Sequence, residues 1–410
     1  MTEFSISDRS DADSPRVFVT PTERYAGEFS VAAEDILNEP AFELAHRAVR
    51  ALPGYTATPL IALNDIATKC GVGAVTVKVE GERLPIRSFK LLGPPYSLAV
   101  QVARKLAHSD EPDFSLVLEV IRGERANEIS QMLAVSATSG NHGRALGWAA
   151  RQFGCRCRIF MPQTIGNARQ EAIEAYGAET VRVPGVFDRS VDRAVEESRE
   201  LDAMLIGPGA TPETGIRRQI LHGYSVLSEE WLQAVDLEDG ASVPTHVFIP
   251  VGGGTFAAAV VARFWMRCGA QRPRMILVQP HTCDSAMRSA RHDRREPATG
   301  NLETIMDGLS VQQISPDAWQ IFRRGVYGYV TIDETVALET LRLFATEEYP
   351  EIGETGIAAV AGLVAASRDE SIRQRLGLGS TSHVGLVATE GITDEDVYRR
   401  LVGEPAEEST

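Results

Sequence analysis

Cysteine is scarce in this chain, with five in 410 residues: Cys70, Cys155, Cys157, Cys268 and Cys283. So sparse and odd a set excludes a disulfide framework and points to reduced thiols. Cys155 and Cys157 open a strand-like run, where alternate side chains point to opposite faces, so packing is their reading and no metal site is expected. Basic charge is also short, 41 Lys and Arg against 56 Asp and Glu, a net charge of -15. That balance repels phosphate backbones and anionic lipid, which removes nucleic acid from the expected partners. No apolar run approaches the roughly 20 residues that span a bilayer, so no membrane partner is expected. Residues 1–15 are polar and acidic where a signal peptide is basic and then apolar, and a cytoplasmic location is the expectation.

What the chain does have is apolar material, 43% of its residues, enough for one large core or two. From Ala41 onward, short runs rich in Val and Ile alternate with longer helical patterns. That alternation marks an α/β fold with a mostly parallel sheet flanked by helices. The pattern predicts strands over 75–79, 132–136, 158–161, 180–183, 246–251, 275–279 and 384–389. It predicts helices over 94–107, 143–153, 168–176, 190–201, 215–235, 256–267, 335–346 and 357–366. Residues 132–183 read strand, helix, strand, helix, strand, enough for a small sheet of their own. Two domains follow as the expectation: a large one from 41–95 and 205–403, and a small one from 96–204. An N-terminal arm over 1–40 and a loose acidic tail over 404–410 flank them.

Three separated segments carry chemistry. Gly252-Gly253-Gly254-Thr255 lies between a buried strand and a helix beginning at Phe256. Backbone N–H groups at a helix start are unpaired and sit at the positive end of its dipole, so this turn can cradle a phosphate; a ligand-free tight turn is the alternative. Lys90, in Ser88-Phe89-Lys90-Leu91-Leu92-Gly93, falls on a loop before a helix that Pro94 and Pro95 open. Most lysines are simply solvated, but apolar neighbours favour the neutral amine, which attacks an aldehyde. Thr138-Ser139-Gly140-Asn141-His142-Gly143 is a second strand-to-helix turn. It suits a substrate carboxylate, with the Asn141 amide able to donate to a phenolic oxygen, or it is an ordinary capping turn with Ser139 or Asn141 as N-cap. A lysine able to form an imine beside a phosphate nest is what pyridoxal 5'-phosphate requires of a protein.

In this order the three segments resemble the fold-type II pyridoxal-phosphate enzymes of the tryptophan synthase β-like group, with the nearest likeness to the diaminopropionate ammonia-lyase branch. Pro244-Thr245-His246, Thr304-Ile305-Met306-Asp307-Gly308-Leu309, Gly353-Glu354-Thr355-Gly356 and Thr389-Glu390-Gly391 add to it, and the likeness runs from about Tyr55 to Leu401. The resemblance implies two domains, each with a central parallel sheet, a small amino-acid substrate and a homodimer. It implies that Lys90 carries the cofactor, that Gly252, Gly253, Gly254 and Thr255 hold its phosphate, and that Asn141 meets the ring hydroxyl. Thr389 would face the ring nitrogen, and Thr138, Ser139, Gly140 and His142 would hold the substrate. Glu390 and Glu354 take a supporting place.

This chain departs from that branch at two points. The branch has an aspartate where Ser139 stands, here the second candidate catalytic residue with Lys90, and a second aspartate is expected near residues 205–211, which contain none. Glu213 is the nearest acid, and its reading is a solvated glutamate before a helix. Those aspartates would move protons and recognise a second amino group. The expected activity is therefore a lyase reaction by α,β-elimination, giving a 2-oxoacid and ammonia, with 2,3-diaminopropionate a doubtful substrate. The alternatives are a cysteine-synthase-like β-replacement or an altered homologue that only binds ligand.

Overall fold

The computed structural model describes residues 16–25, 27–237, 243–346 and 348–403. Two sheets organise it. The larger has seven strands: β1 (Arg16–Val19), β2 (Leu60–Ala62), β3 (Ala74–Val79), β8 (His246–Pro250), β9 (Arg274–Pro280), β10 (Gly328–Ile332) and β11 (His383–Ala388). Their order is β1-β10-β9-β8-β11-β3-β2, parallel throughout except for the antiparallel edge strands β1 and β2. The smaller sheet has β4 (Leu133–Ala137), β5 (Arg156–Pro162), β6 (Glu179–Val183) and β7 (Met204–Leu205), all parallel in the order β6-β5-β4-β7. Interior strands such as β8 are buried at every position, because helices cover both faces and an alternating polar pattern has no solvent to meet.

All seven expected strands form. Four further strands, β1, β2, β7 and β10, carry no distinct signal in the sequence. The first three are two to four residues long, and β10 opens on Gly328, a residue depleted in strands. Residues 1–15 of the expected arm, and the expected tail at 404–410, lie outside the described residues; within the arm, β1 pairs with β10. Met204–Leu205 belongs to the smaller sheet and so straddles the expected boundary at 204/205.

The site is placed by helices α1 (Gly93–Ala107), α2 (Asn141–Phe153), α3 (Ile216–Leu237) and α4 (Thr255–Cys268). One core runs from Ile159 on the small sheet through Ala145 and Leu98 to Val247 on the large one. The crossing of α1 and α3 is unusually close: a Cβ at Gly223 would lie 2.4 Å from the Leu92 carbonyl, and one at Gly93 2.6 Å from the Tyr224 ring. Two glycines thus let α3 press directly on the segment that follows Lys90. Among the described residues no helix is long and apolar enough to cross a membrane.

Candidate active site

Ends of parallel strands converge here. Val79 of β3 pairs with Ala388 of β11, and Leu386 of β11 with Phe248 of β8. That register sets the loops after the three strands side by side at one edge, with the turn after β4 facing them. Ligands of open α/β sheets bind at such carboxyl edges.

The Lys90 loop stands on a buried charge cluster. Lys78 Nζ and Arg83 Nη2 each lie 2.8 Å from Glu230 Oε2, and Arg83 Nε lies 2.5 Å from Glu80. Above it, Ser88 caps the single turn Phe89–Leu91: its hydroxyl accepts from the Lys90 amide at 3.4 Å and donates to the Thr389 carbonyl at 3.3 Å. The Phe89 amide donates to the same carbonyl at 3.2 Å. Lys90 Nζ lies 4.9 Å from the Phe89 ring centre and 5.6 Å from that of Tyr224. Burial draws the Lys90 ammonium down to about 8, with Glu390 opposing the fall, so a neutral amine is accessible in ordinary buffers.

The glycine turn opens α4, with Gly254 as its N-cap at φ +90°. A Cβ at Gly254 would sit 2.6 Å from Ala318, and one at Gly252 3.0 Å from the Gly308 carbonyl. The first aromatic of α4, Phe256, packs on Phe89 with centroids 3.9 Å apart, which brings the glycine turn against the lysine loop.

Helix α2 begins at Asn141, two residues earlier than expected, and its N-cap is Gly140, with no side-chain cap from Ser139 or Asn141. The Thr138 hydroxyl accepts from the Gly140 amide at 3.3 Å. His142 Nε2 is 2.8 Å from the Ile206 carbonyl; burial lowers its pKa to about 4, and Lys90 adds to the fall, so the ring is neutral at neutral pH. Asn141 Nδ2 donates to Glu390 Oε2 at 2.5 Å, and Arg144 Nη1 donates to Asn141 Oδ1 at 2.9 Å.

Glu390 and Glu354 lie beside these residues. Glu390 forms a bridge to Ser88 and faces Asn141 and Lys90. Burial pushes its carboxyl up to about 7, aided by Glu354 and opposed by Thr355, Asn141 and Lys90. The one local signal for this was position: Glu390 directly follows Thr389. The residues fit a phosphorylated aldehyde with an aromatic ring. Three glycines lead into a helix start that can take a phosphate, a lysine can be neutral, and the buried Thr389 hydroxyl has no hydrogen-bond partner among the described residues.

Comparisons with known proteins agree. The pyridoxal-phosphate dependent enzyme family matches residues 51–389. The diaminopropionate ammonia-lyase of Salmonella typhimurium is 30% identical over 86% of this chain and 89% of its own length. That of Escherichia coli K12 is 28% identical over 92% of this chain and 94% of its own. The holo crystal structure of the Escherichia coli diaminopropionate ammonia lyase superposes with a TM-score of 0.82 at 27% identity, covering 95% of this chain and 97% of that one. Another structure of that enzyme holds an aminoacrylate-PLP azomethine reaction intermediate, with the same TM-score at 26% identity. The chain belongs to the pyridoxal-phosphate-dependent enzymes, with their type II fold, and is a lyase of the ammonia-lyase kind acting by α,β-elimination.

Proposed function

We propose that the substrate is a small amino acid whose β-substituent leaves with little acid assistance, such as acetate, phosphate or sulfide, and that the products are a 2-oxoacid and ammonia. The supporting observation is where the carboxylates lie. Ser139 occupies the turn before α2, and the 205–211 segment, which touches His142 through Ile206, contains no acid. Glu213 is exposed. The buried acids, Glu354 and Glu390, come from loops of the larger sheet instead. A second, cationic amino group on the substrate would find no carboxylate in the turn before α2 or in the 205–211 segment, and an amine leaving group no acid there.

Pyridoxal phosphate would supply a conjugated ring that takes up the electron pair left at Cα. Lys90 would have two tasks: its neutral Nζ would hold the cofactor by condensing with the aldehyde carbon with loss of water, and the same amine, when free, would take the Cα proton of the substrate. Gly252 to Thr255 hold the phosphate through backbone N–H groups and a hydroxyl. Asn141 would donate to the ring hydroxyl, and the neutral Thr389 hydroxyl would leave the ring nitrogen unprotonated. Thr138, Ser139, Gly140 and His142 receive the substrate carboxylate at the start of α2.

The test is an assay of the reconstituted protein for 2-oxoacid, ammonia and sulfide, with serine, threonine, 2,3-diaminopropionate, O-acetylserine and cysteine in turn. O-acetylserine or cysteine is expected to give the highest kcat/KM. Faster turnover of 2,3-diaminopropionate would overturn the substrate assignment, and product without ammonia when a thiol is supplied would indicate β-replacement. We extend the reading to a homodimer in the cytoplasm. All five cysteines are free thiols, as a reducing compartment requires; sedimentation and cell fractionation test both points.

A further inference from the structure

The Asn141 amide cannot be turned end for end. Arg144 has only donors, so the atom it meets at 2.9 Å is the amide oxygen, and the amide nitrogen must face Glu390. One N–H of that nitrogen is taken by Glu390 Oε2. The other is available for a ring oxygen.

Glu390 is buried, and so is Glu354, whose Oε2 has no hydrogen-bond partner among the described residues. Two buried carboxyls that act on one another do not both ionise readily. We propose that Glu390 is the positioning residue of this site: paired with Glu354 it holds a proton beside Lys90, fixes the Asn141 amide, and sets the charge of the lysine. The proposal deepens the elimination reading and rests on it, since a lysine that must alternate between attacking amine and proton carrier needs a neighbour that can exchange a proton with it.

The groups around Glu390 come from three sides. Lys90 and Ser88 face it from the lysine loop, and Asn141, with Arg144 behind, from α2. Glu354 and Thr355 face it from the loop before helix Ala358–Ser367, and Arg169, Asp307 and Asp394 act on Glu354 in turn. Arg87, paired with Glu351, lies over the following Gly391. Of these, Lys90 favours the ionised form of Glu390 and Glu354 the protonated form.

Opposite substitutions separate this role from a structural one. Glu390→Gln keeps an acceptor for Asn141 but removes the carboxyl whose ionised form supports the Lys90 ammonium. Glu354→Gln removes the repulsion that keeps Glu390 protonated. The full-length chain without cofactor is labelled with acetic anhydride across pH 6–10, and the acetylation of each lysine is read by mass spectrometry. The chain has four lysines, and Lys69 and Lys105, in exposed ion pairs, serve as internal references. Glu390→Gln is expected to lower the Lys90 midpoint by about one pH unit, and Glu354→Gln to raise it. Glu390→Ala, which also frees Asn141, should weaken pyridoxal phosphate binding about tenfold relative to Glu390→Gln. Midpoints that stay put in both folded variants, or move the same way, overturn the proposal. The labelling needs neither cofactor nor substrate, so its failure is separate from failure of the elimination reading.

Discussion

Arg169, on helix Asn167–Glu174 beside the small sheet, places Nη1 2.5 Å from Asp307 Oδ2, on the loop whose next carbonyl walls the glycine turn. Seven residues on, the Tyr176 hydroxyl donates to the Pro85 carbonyl at 2.7 Å, just before the lysine loop. Two tethers from one segment thus hold the small sheet against both halves of the candidate site.

Arg169→Ala is expected to change stability by less than about 1 kcal/mol, because both partners are partly exposed. It should raise KM several-fold with kcat changed less, since the cleft loses a closing contact and not a reacting group. Steady-state kinetics with urea denaturation of the same variant checks both halves.

Lys90→Ala removes the amine proposed to bond to the cofactor and to take the Cα proton. Activity should fall by about 10²–10⁴-fold or more, and borohydride should no longer fix pyridoxal phosphate to the chain. Mass spectrometry after reduction reads the outcome; covalent capture at another lysine would move the site.

The glycine turn separates fold from function. Gly254→Ala forces a side chain into φ +90° and onto Ala318, and should destabilise the chain by roughly 1–3 kcal/mol. Gly253→Ala meets nothing closer than Val311 at 3.8 Å, so the fold should survive while phosphate approach suffers. A cofactor Kd raised about tenfold or more, with an unchanged melting curve, is the expected signature.

Burial alone would raise Glu230, but Arg83 and Lys78 outweigh it and hold the carboxyl down at about 2, against an ordinary 4.5. A depressed carboxyl stabilises the fold fully above its ordinary value, and that contribution is lost as pH falls from 4.5 toward 2. Glu230→Gln, which leaves two buried cations with one partner fewer, should cost about 3–5 kcal/mol at neutral pH and flatten the acid limb of the stability curve. Urea melts at stepped pH would show it.

Ser139→Asp restores an acid at the turn before α2. The ratio of kcat/KM for 2,3-diaminopropionate to that for O-acetylserine should rise at least about tenfold. No change in the ratio would mean that this position does not select the leaving group.

Much of this was legible in the chain because it is local. A run of branched residues, a glycine turn and the start of an apolar helix are neighbours in sequence, so strand, cradle and helix could be read at 246–267 without any partner. The Lys90 loop was legible for the same reason, through its own apolar neighbours. Helix α2 began earlier than read because Gly140, not a side-chain cap, ends the turn. The strands that escaped, β1, β2, β7 and β10, are too short or too glycine-marked to show a period, and exist because a longer neighbour offers them a ladder.

What the sequence by itself determined is the inventory: a lysine, a phosphate-sized gap in side chains, a polar turn, and the absence of two acids. Which of these meet was decided by tertiary structure. Asn141 and Glu390 are 249 residues apart in the chain, and the proton affinity of a buried carboxyl depends on what burial brings within a few ångströms, not on its neighbours along the backbone. A list of residues can therefore name the reaction class, while the charge on Lys90 is a property of the assembled fold.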